Sequence, residues 1–234
     1  MNSIYDVLKN IDYPGRGILM GRTPDERCAV AAYFITGRSE NSRNRIFSEE
    51  EAGLFTRPFD EEKVTDPSLI IYRALAVYEN SLIVTNGDQT DTVYNGLSSS
   101  VAFSDILKTR TFEPDEPNYT PRISAVFYLD GEDSAFEMNI IKCADGKGEK
   151  AERFNFSYPA IPGDGRFIRT YEKNGNPLVS FSGEPVRFGT ENDIDVFSKG
   201  LWESLSEENK ISLYVRYTDL LTGKQESRLL NKMK

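Results

Sequence analysis

Apolar residues in this chain fall in short runs punctuated by Gly, Pro, Asn and Asp, and only three segments space them as a helix does. Ser3 can cap a first short helix with Ile4, Val7, Leu8 and Ile11 on one face, ended by Pro14-Gly15. Val101 to Leu107 is a second helical segment. The third runs from Asn192 to Leu205 and carries Ile194, Phe197, Leu201, Trp202 and Leu205. The other apolar runs read as strands. Gly17–Gly21 and Cys28–Thr36 flank the turn Thr23-Pro24-Asp25 as an opening hairpin. Ile70–Tyr78 and Leu82–Thr85 flank Glu79-Asn80-Ser81. Ile123–Leu129 and Phe136–Lys142 flank Asp130-Gly131. Phe167–Tyr171 is a further strand. Ile211–Thr218 alternates with period two, a half-buried strand, and Glu226–Leu230 follows the turn at Leu221–Lys224.

Between these runs the pattern predicts loops. Gly37–Asn44 is polar and Arg-rich, Ser48–Glu51 is an acidic surface stretch, and Asp66-Pro67 breaks the chain. Asn86–Asn95 is polar and turn-rich, Thr109–Pro121 is rich in proline and acid, and 144–165 is loop-rich. Hairpins dominate and helices are few, so the expectation is an α+β fold with antiparallel sheets. No composition shift marks a boundary, and residues 1–234 read as one domain.

Composition narrows the chemistry. The chain has 234 residues and no histidine. This excludes Ser-His-Asp and Cys-His nucleophile pairs, an imidazole base and a histidine metal ligand. Proton transfer is left to carboxylates, Tyr, Lys or a bound group. Cys28 and Cys143 lie in apolar stretches and read as buried free thiols. The first residues lack the basic-then-apolar run of a signal peptide, and no apolar run spans a bilayer. A cytoplasmic protein with no membrane partner is expected. The net charge is −9, with 28 Lys and Arg against 37 Asp and Glu, which disfavours nucleic acid as a partner. Residues 1–45 depart from this, with seven Lys/Arg against five acids, a local excess suited to a small anion.

Three loops carry concentrated functional groups. Gly37–Arg45 holds Arg38, Arg43 and Arg45 among Ser39 and Asn44, a cradle of forked donors suited to phosphate, though not a Walker loop. Thr85–Tyr94 offers Asn86, Asp88 and Asp91, suited to an amide, a ribose or a purine-like ring. Glu113–Ile123 offers Glu113, Asp115 and Glu116 for proton transfer, with Tyr119 and Arg122 beside them. Taken singly, each is also readable as an ordinary solvated loop.

As an ordered set these segments resemble the archaeal-type IMP cyclohydrolase family and its bacterial relatives. The matching stretches are Pro14-Gly-Arg-Gly-Ile18, Gly21-Arg-Thr-Pro-Asp25, Ala32–Ser39 and Arg43-Asn-Arg45. Ile71-Tyr72, Val84–Asp91 and Asn118–Ile123 follow in order. Relative to that pattern the chain has an N-terminal helical extension over 1–13 and an insertion over 48–63. The resemblance implies a four-layer αββα sandwich of antiparallel sheets, similar to the N-terminal-nucleophile hydrolases. Neither Met1 nor Asn2 is such a nucleophile, so autoprocessing and amide hydrolysis are not expected.

The same resemblance implies the last step of purine biosynthesis, closure of the formamidoimidazole-carboxamide ribonucleotide FAICAR to IMP with loss of water. A purine ribonucleotide is then the partner, no cofactor or metal is required, and a homo-oligomer is allowed. The reaction is intramolecular, so positioning carries much of the barrier and imidazole is dispensable. The expected site assigns Arg38, Ser39, Asn44 and Arg45 to the phosphate or carbonyls. Tyr72 and Arg122 orient the formyl group. Glu113 moves the proton, with Asp88 or Asp91 in reserve, and Asn86 and Tyr119 read the carboxamide and imidazole. The competing readings are a nucleotide-binding protein without cyclisation and an interaction protein on the same fold.

Overall fold

A computed structural model describes residues 3–64 and 70–233. The first helix, α1 (Ile4–Lys9), starts at Ser3, whose hydroxyl accepts from the Asp6 amide. The opening hairpin is β1 (Arg16–Arg22) and β2 (Cys28–Thr36), followed by the short α2 (Glu40–Arg43). Then come β3 (Ile46–Glu50), β4 (Gly53–Arg57), β5 (Tyr72–Tyr78), β6 (Ser81–Thr85), α3 (Gln89–Ser98), α4 (Phe103–Ile106), β7 (Arg122–Tyr128), β8 (Ala135–Cys143) and β9 (Ala151–Pro159). The chain continues through β10 (Asp164–Arg169), β11 (Tyr171–Lys173), β12 (Val179–Ser180), β13 (Val186–Gly189), α5 (Ile194–Ser204), β14 (Lys210–Asp219) and β15 (Gln225–Asn231).

The strands form a six-stranded sheet, β13-β10-β1-β2-β14-β15, and a seven-stranded sheet, β3-β4-β5-β6-β7-β8-β9, with β11 and β12 as a separate pair. The ladders are antiparallel, which makes the fold α+β as expected. The second sheet is a meander, so its register follows from consecutive hairpins.

Strand parity sorts the core. Ile18, Tyr33 and Ile35 on the first sheet meet Tyr72, Leu82, Ile123 and Phe127 on the second, in one cluster between the sheets. Their strand neighbours Leu19, Phe34 and Phe167 turn the other way, onto Ile4 and Leu8 of α1 and Phe197 and Leu201 of α5. On the second sheet Ile83, Val126 and Ile141 turn outward onto Val93 of α3 and Phe103 and Ile106 of α4. Each sheet thus buries both faces at its centre, and the central strands β2, β6 and β7 are close to continuously apolar. Among the described residues no helix is long and apolar enough to cross a membrane.

Four expectations change. Asn86–Asn95 is not a run of turns, because Gln89–Ser98 forms α3. Its buried positions include Gln89 and Thr90, and a helix that buries polar groups in hydrogen bonds leaves little apolar periodicity to read. The 144–165 segment is loop only at its ends, since β9 fills 151–159 between the glycines and prolines. Ser48–Glu50 ends β3, and Glu51 leads the turn into β4, so the insertion builds an edge hairpin. β14 is buried on both faces rather than one, because α5 covers the side away from the second sheet. Both cysteines are free and half-buried. The Asp66-Pro67 break lies outside the described residues.

Candidate active site

Three segments converge on one edge of the space between the sheets. β1 begins with Arg16, which has the inward parity of Ile18. β2 ends at Thr36 and passes through Gly37 into the Arg38–Arg45 loop. Any side chain at 37 would press within 2.4 Å of Ser42 Oγ, so glycine lets the loop close this tightly. Ser39 then caps α2 reciprocally: its hydroxyl accepts from the Ser42 amide at 3.1 Å, and Ser42 Oγ accepts from the Ser39 amide at 3.0 Å. The third segment, 113–120, is closed by the Glu113 amide donating to Thr120 O at 2.9 Å. Asp115 accepts from the Thr120 amide at 2.6 Å and from its hydroxyl at 2.5 Å.

Between them lies a cleft of about 380 Å³. Arg38, Ser39, Asn41 and Ser42 line it from the loop, Asp115, Asn118 and Thr120 from the opposite segment, and Arg16, Arg45 and Glu113 from below. Its side wall is aromatic. Tyr13 stacks on Tyr171 at 5.8 Å, and the Arg38 guanidinium lies 5.0 Å over the Tyr13 ring. Arg38 also donates to Asn174 Oδ1 at 2.5 Å and Gly175 O at 3.0 Å, tying the 174–175 turn to the cleft.

The foot of the cleft holds the unusual electrostatics. Arg16 Nη2 lies 3.7 Å from Glu113 Oε2, too far for a hydrogen bond, and Arg16 Nε is buried with no partner among the described residues. Arg45 is 3% exposed and donates through Nε to Ser42 O at 2.8 Å. Among the described residues it has no carboxylate partner, and burial together with the Arg16 charge lowers its pKa. Burial pushes the Glu113 carboxyl up, and the charge of Arg16 offsets only part of that. Beside them Tyr33 and Tyr72, from facing sheets, share a hydroxyl contact of 2.7 Å. Two buried guanidiniums, one buried carboxyl and a phenol pair can hold an anion, polarise a carbonyl and move a proton. Among the described residues no group of three or more Cys, Asp or Glu side chains could hold a metal ion.

Of the residues expected from sequence, Arg38, Ser39, Arg45 and Glu113 line this cleft, while Tyr72 lies behind the lining, paired with Tyr33 and close to the Arg16 and Arg45 guanidiniums. The others lie elsewhere. Asn44 is turned to the Asp60 backbone, donating to its O and accepting from its N at 2.7 Å each. Arg122 follows the outward parity of Val126, and its Nη1 meets Gln89 Oε1 at 2.7 Å and Asp88 Oδ1 at 2.8 Å beside α3. Asp88 also pairs with Arg110. Asp91 pairs with Arg73 at 2.5 Å on the exposed side of α3. Asn86 is fully committed to the backbone of Pro121 and Ile123 and to Gln89. Tyr119 has φ near +44° and points its hydroxyl at Lys147 O, 3.2 Å away.

Sequence reasoning assigned no role to Arg16, Tyr33, Asn118, Thr120 or Tyr171. The first four stand inside the stretches that carry the family resemblance, and that was the available signal. Tyr171 had none, since only the pairing of β10 with β1 brings its neighbourhood to the cleft.

The cleft thus sets a cationic, hydroxyl-lined mouth over an acid–base cluster, a combination suited to a small anionic ligand. The chain belongs to the IMP cyclohydrolase-like protein family, whose model matches residues 13–224. It is similar to the IMP cyclohydrolase of Methanosphaera stadtmanae, 23% identical over 198 residues that cover 83% of this chain and 89% of that one. It is 34% identical over 148 residues to the IMP cyclohydrolase of Methanopyrus kandleri, covering 58% of this chain and 72% of that one. The IMP cyclohydrolase of Methanococcus maripaludis is 30% identical over 123 residues, 50% of this chain and 59% of that one.

Proposed function

We propose that this chain is an IMP cyclohydrolase that closes FAICAR to IMP with loss of water, and that the 380 Å³ cleft is its active site. The observation that carries the assignment is the foot of the cleft: Arg16, Arg45 and Glu113 beneath a mouth of Arg38, Ser39 and Asn41, with the buried Tyr33–Tyr72 pair close behind the two arginines. The nucleotide enters with its phosphate, which stays hydrated and doubly charged, at the exposed mouth. The imidazole lies along the Tyr13–Tyr171 wall, and the two substituents that react reach the foot.

The carboxamide nitrogen attacks the formyl carbon, forming the new C–N bond. Glu113, ionised, takes one proton from that nitrogen. Tyr72 donates to the formyl oxygen, and Arg45 and Arg16 stabilise the negative charge that develops there. Glu113 hands that proton to the alkoxide, which gives the carbinolamine hydroxyl. The C–O bond then breaks, and Glu113 takes the proton of the former formamido nitrogen and passes it to the leaving hydroxyl. One water departs with Glu113 again ionised. Holding the two groups in the attacking conformer is the larger task, and a cleft walled on three sides suits it. Arg122, Asp88, Asn86, Asp91, Asn44 and Tyr119 support the fold around the site in this reading.

The helix-covered sheets, with a shared core between them, support a likeness to the N-terminal-nucleophile hydrolases and a single domain over 1–234. A purine biosynthetic role supports a cytoplasmic location.

Incubation with FAICAR, followed by the ultraviolet absorbance of IMP, tests the assignment. Turnover that Glu113→Gln abolishes supports it. Saturable binding of IMP with no turnover would establish the alternative, a nucleotide-binding protein without cyclisation.

A further inference from the structure

Two arginines are at least nine-tenths buried with no carboxylate within 4.0 Å among the described residues. One is Arg45, at the foot of the cleft. The other is Arg216, near the middle of β14 and 7% exposed. β14 is an interior strand whose Leu213, Val215 and Tyr217 turn to α5, while Tyr214 turns to the facing sheet. Arg216 has the parity of Tyr214, so its guanidinium stands in the space between the sheets. Nε donates to Thr218 Oγ1 at 3.4 Å, and neither Nη group has a hydrogen-bond partner among the described residues. Neither Nη is among the fully buried atoms that lack a partner, so both reach the neighbouring groove and are free to take an anion.

The guanidinium opens on a second groove of about 420 Å³, which shares no lining residue with the first. The β3–β4 turn forms its rim, and Leu75, Val77 and Tyr94 give it an apolar side. The other charges around it are mostly spoken for. Glu50 pairs with Arg57 at 2.9 Å and Arg73 with Asp91 at 2.5 Å. Glu49 accepts from the Tyr214 hydroxyl at 2.5 Å and from Ser227 at 3.0 Å, so it is hydrogen-bonded but has no ion-pair partner among the described residues. Glu51 has no ion-pair partner among the described residues. What remains is one deep guanidinium facing two carboxylates across an apolar groove. A phosphate would gain the guanidinium but meet the glutamates.

We propose that this groove binds a small zwitterion with an apolar side chain, of the α-amino acid class. Its carboxylate forks onto the two free Nη groups of Arg216. Its ammonium lies against Glu49 and Glu51, and its side chain covers Leu75, Val77 and Tyr94.

Isothermal titration of the full chain with L-leucine tests this, with N-acetyl-L-leucine, L-leucinamide and inorganic phosphate as comparison ligands. The expected result is saturable one-site binding of L-leucine. Each single-charge analogue should bind at least about tenfold more weakly, as should L-leucine to Arg216→Lys, which loses the fork but keeps the charge. Glu51→Gln, on the exposed rim, keeps the test valid should the buried variant not fold, and should weaken L-leucine several-fold. Absence of L-leucine binding at millimolar concentration, equal binding of N-acetyl-L-leucine, preference for phosphate, or unchanged affinity in a folded Arg216→Lys or Glu51→Gln each overturns the proposal.

Discussion

The hydroxyls of Tyr33 and Tyr72 meet at 2.7 Å across the space between the two sheets, one from β2 and the other from β5. Both residues are nearly inaccessible. For Tyr72 to donate toward a substrate oxygen, its own oxygen must accept from Tyr33. Tyr33 is therefore a positioning residue for Tyr72. Tyr72→Phe is expected to lower kcat/KM at least tenfold, about 1.4 kcal/mol of barrier. Tyr33→Phe should lower kcat with little change in KM, and should cost about 1–3 kcal/mol of stability by leaving a buried hydroxyl unpaired. Steady-state kinetics and urea unfolding of both variants check this. Equal effects on KM alone would sink the positioning role.

Glu113 should impose opposite pH trends on stability and activity. Burial raises its pKa above the ordinary 4.5, and Arg16 pulls it back only in part. The folded chain then binds this proton more tightly than the unfolded chain. Its contribution to stability is fully present below the ordinary value and is lost as pH rises through the folded pKa. A base must be ionised, so kcat/KM should rise with pH through that same raised value. Glu113→Gln should remove the acid limb of the rate profile along with most of the activity. An acid limb at or below the ordinary glutamate value would count against the assignment.

Arg45 should show function held at the expense of stability. Its buried guanidinium has no acidic partner among the described residues. Arg45→Met keeps the volume and removes the charge, so the ligand-free chain should gain about 1–4 kcal/mol. Turnover of FAICAR should be lost. Thermal unfolding and kinetics on the same sample decide it, and a destabilised Arg45→Met would show that the charge is compensated after all.

At the mouth, Arg38→Ala should act mainly on substrate affinity. KM is expected to rise at least about tenfold with kcat less affected. The dephosphorylated nucleoside should bind weakly to both forms, with little further loss in the variant, because the two changes remove the same contact. A full additional loss with the nucleoside would place Arg38 on another part of the ligand.

The Asn86 side chain is tied into its own neighbourhood. Its side chain accepts from the Ile123 amide at 2.8 Å and from Gln89 at 2.9 Å, and donates to Pro121 O at 2.9 Å. Asn86→Ala should cost about 2–4 kcal/mol as these partners are left unpaired. The folded fraction should keep kcat/KM within about threefold. A large kinetic loss in a stable Asn86→Ala variant would return Asn86 to the site.

Local pattern accounts for most of the hairpins and for the permitted chemistry, though not for α3 or β9. The cap at Ser3, the turns at Thr23–Asp25 and Asp130-Gly131, and the apolar runs of β2, β7 and β14 are short-range signals, and each element formed where its pattern lies. The absence of histidine left carboxyl, phenol and guanidinium groups, and those are what the cleft contains. Which of these groups meet follows from long-range pairing. Tyr72 and Arg122 are both expected from sequence to orient the formyl group. One step of strand parity turns Tyr72 to the space between the sheets and Arg122 to α3. Arg16 and Tyr171 are 155 positions apart, and the pairing of β1 with β10 places both at one cleft. Which face a side chain takes, and which distant strand lies beside it, depend on register and long-range pairing, and no local pattern encodes either.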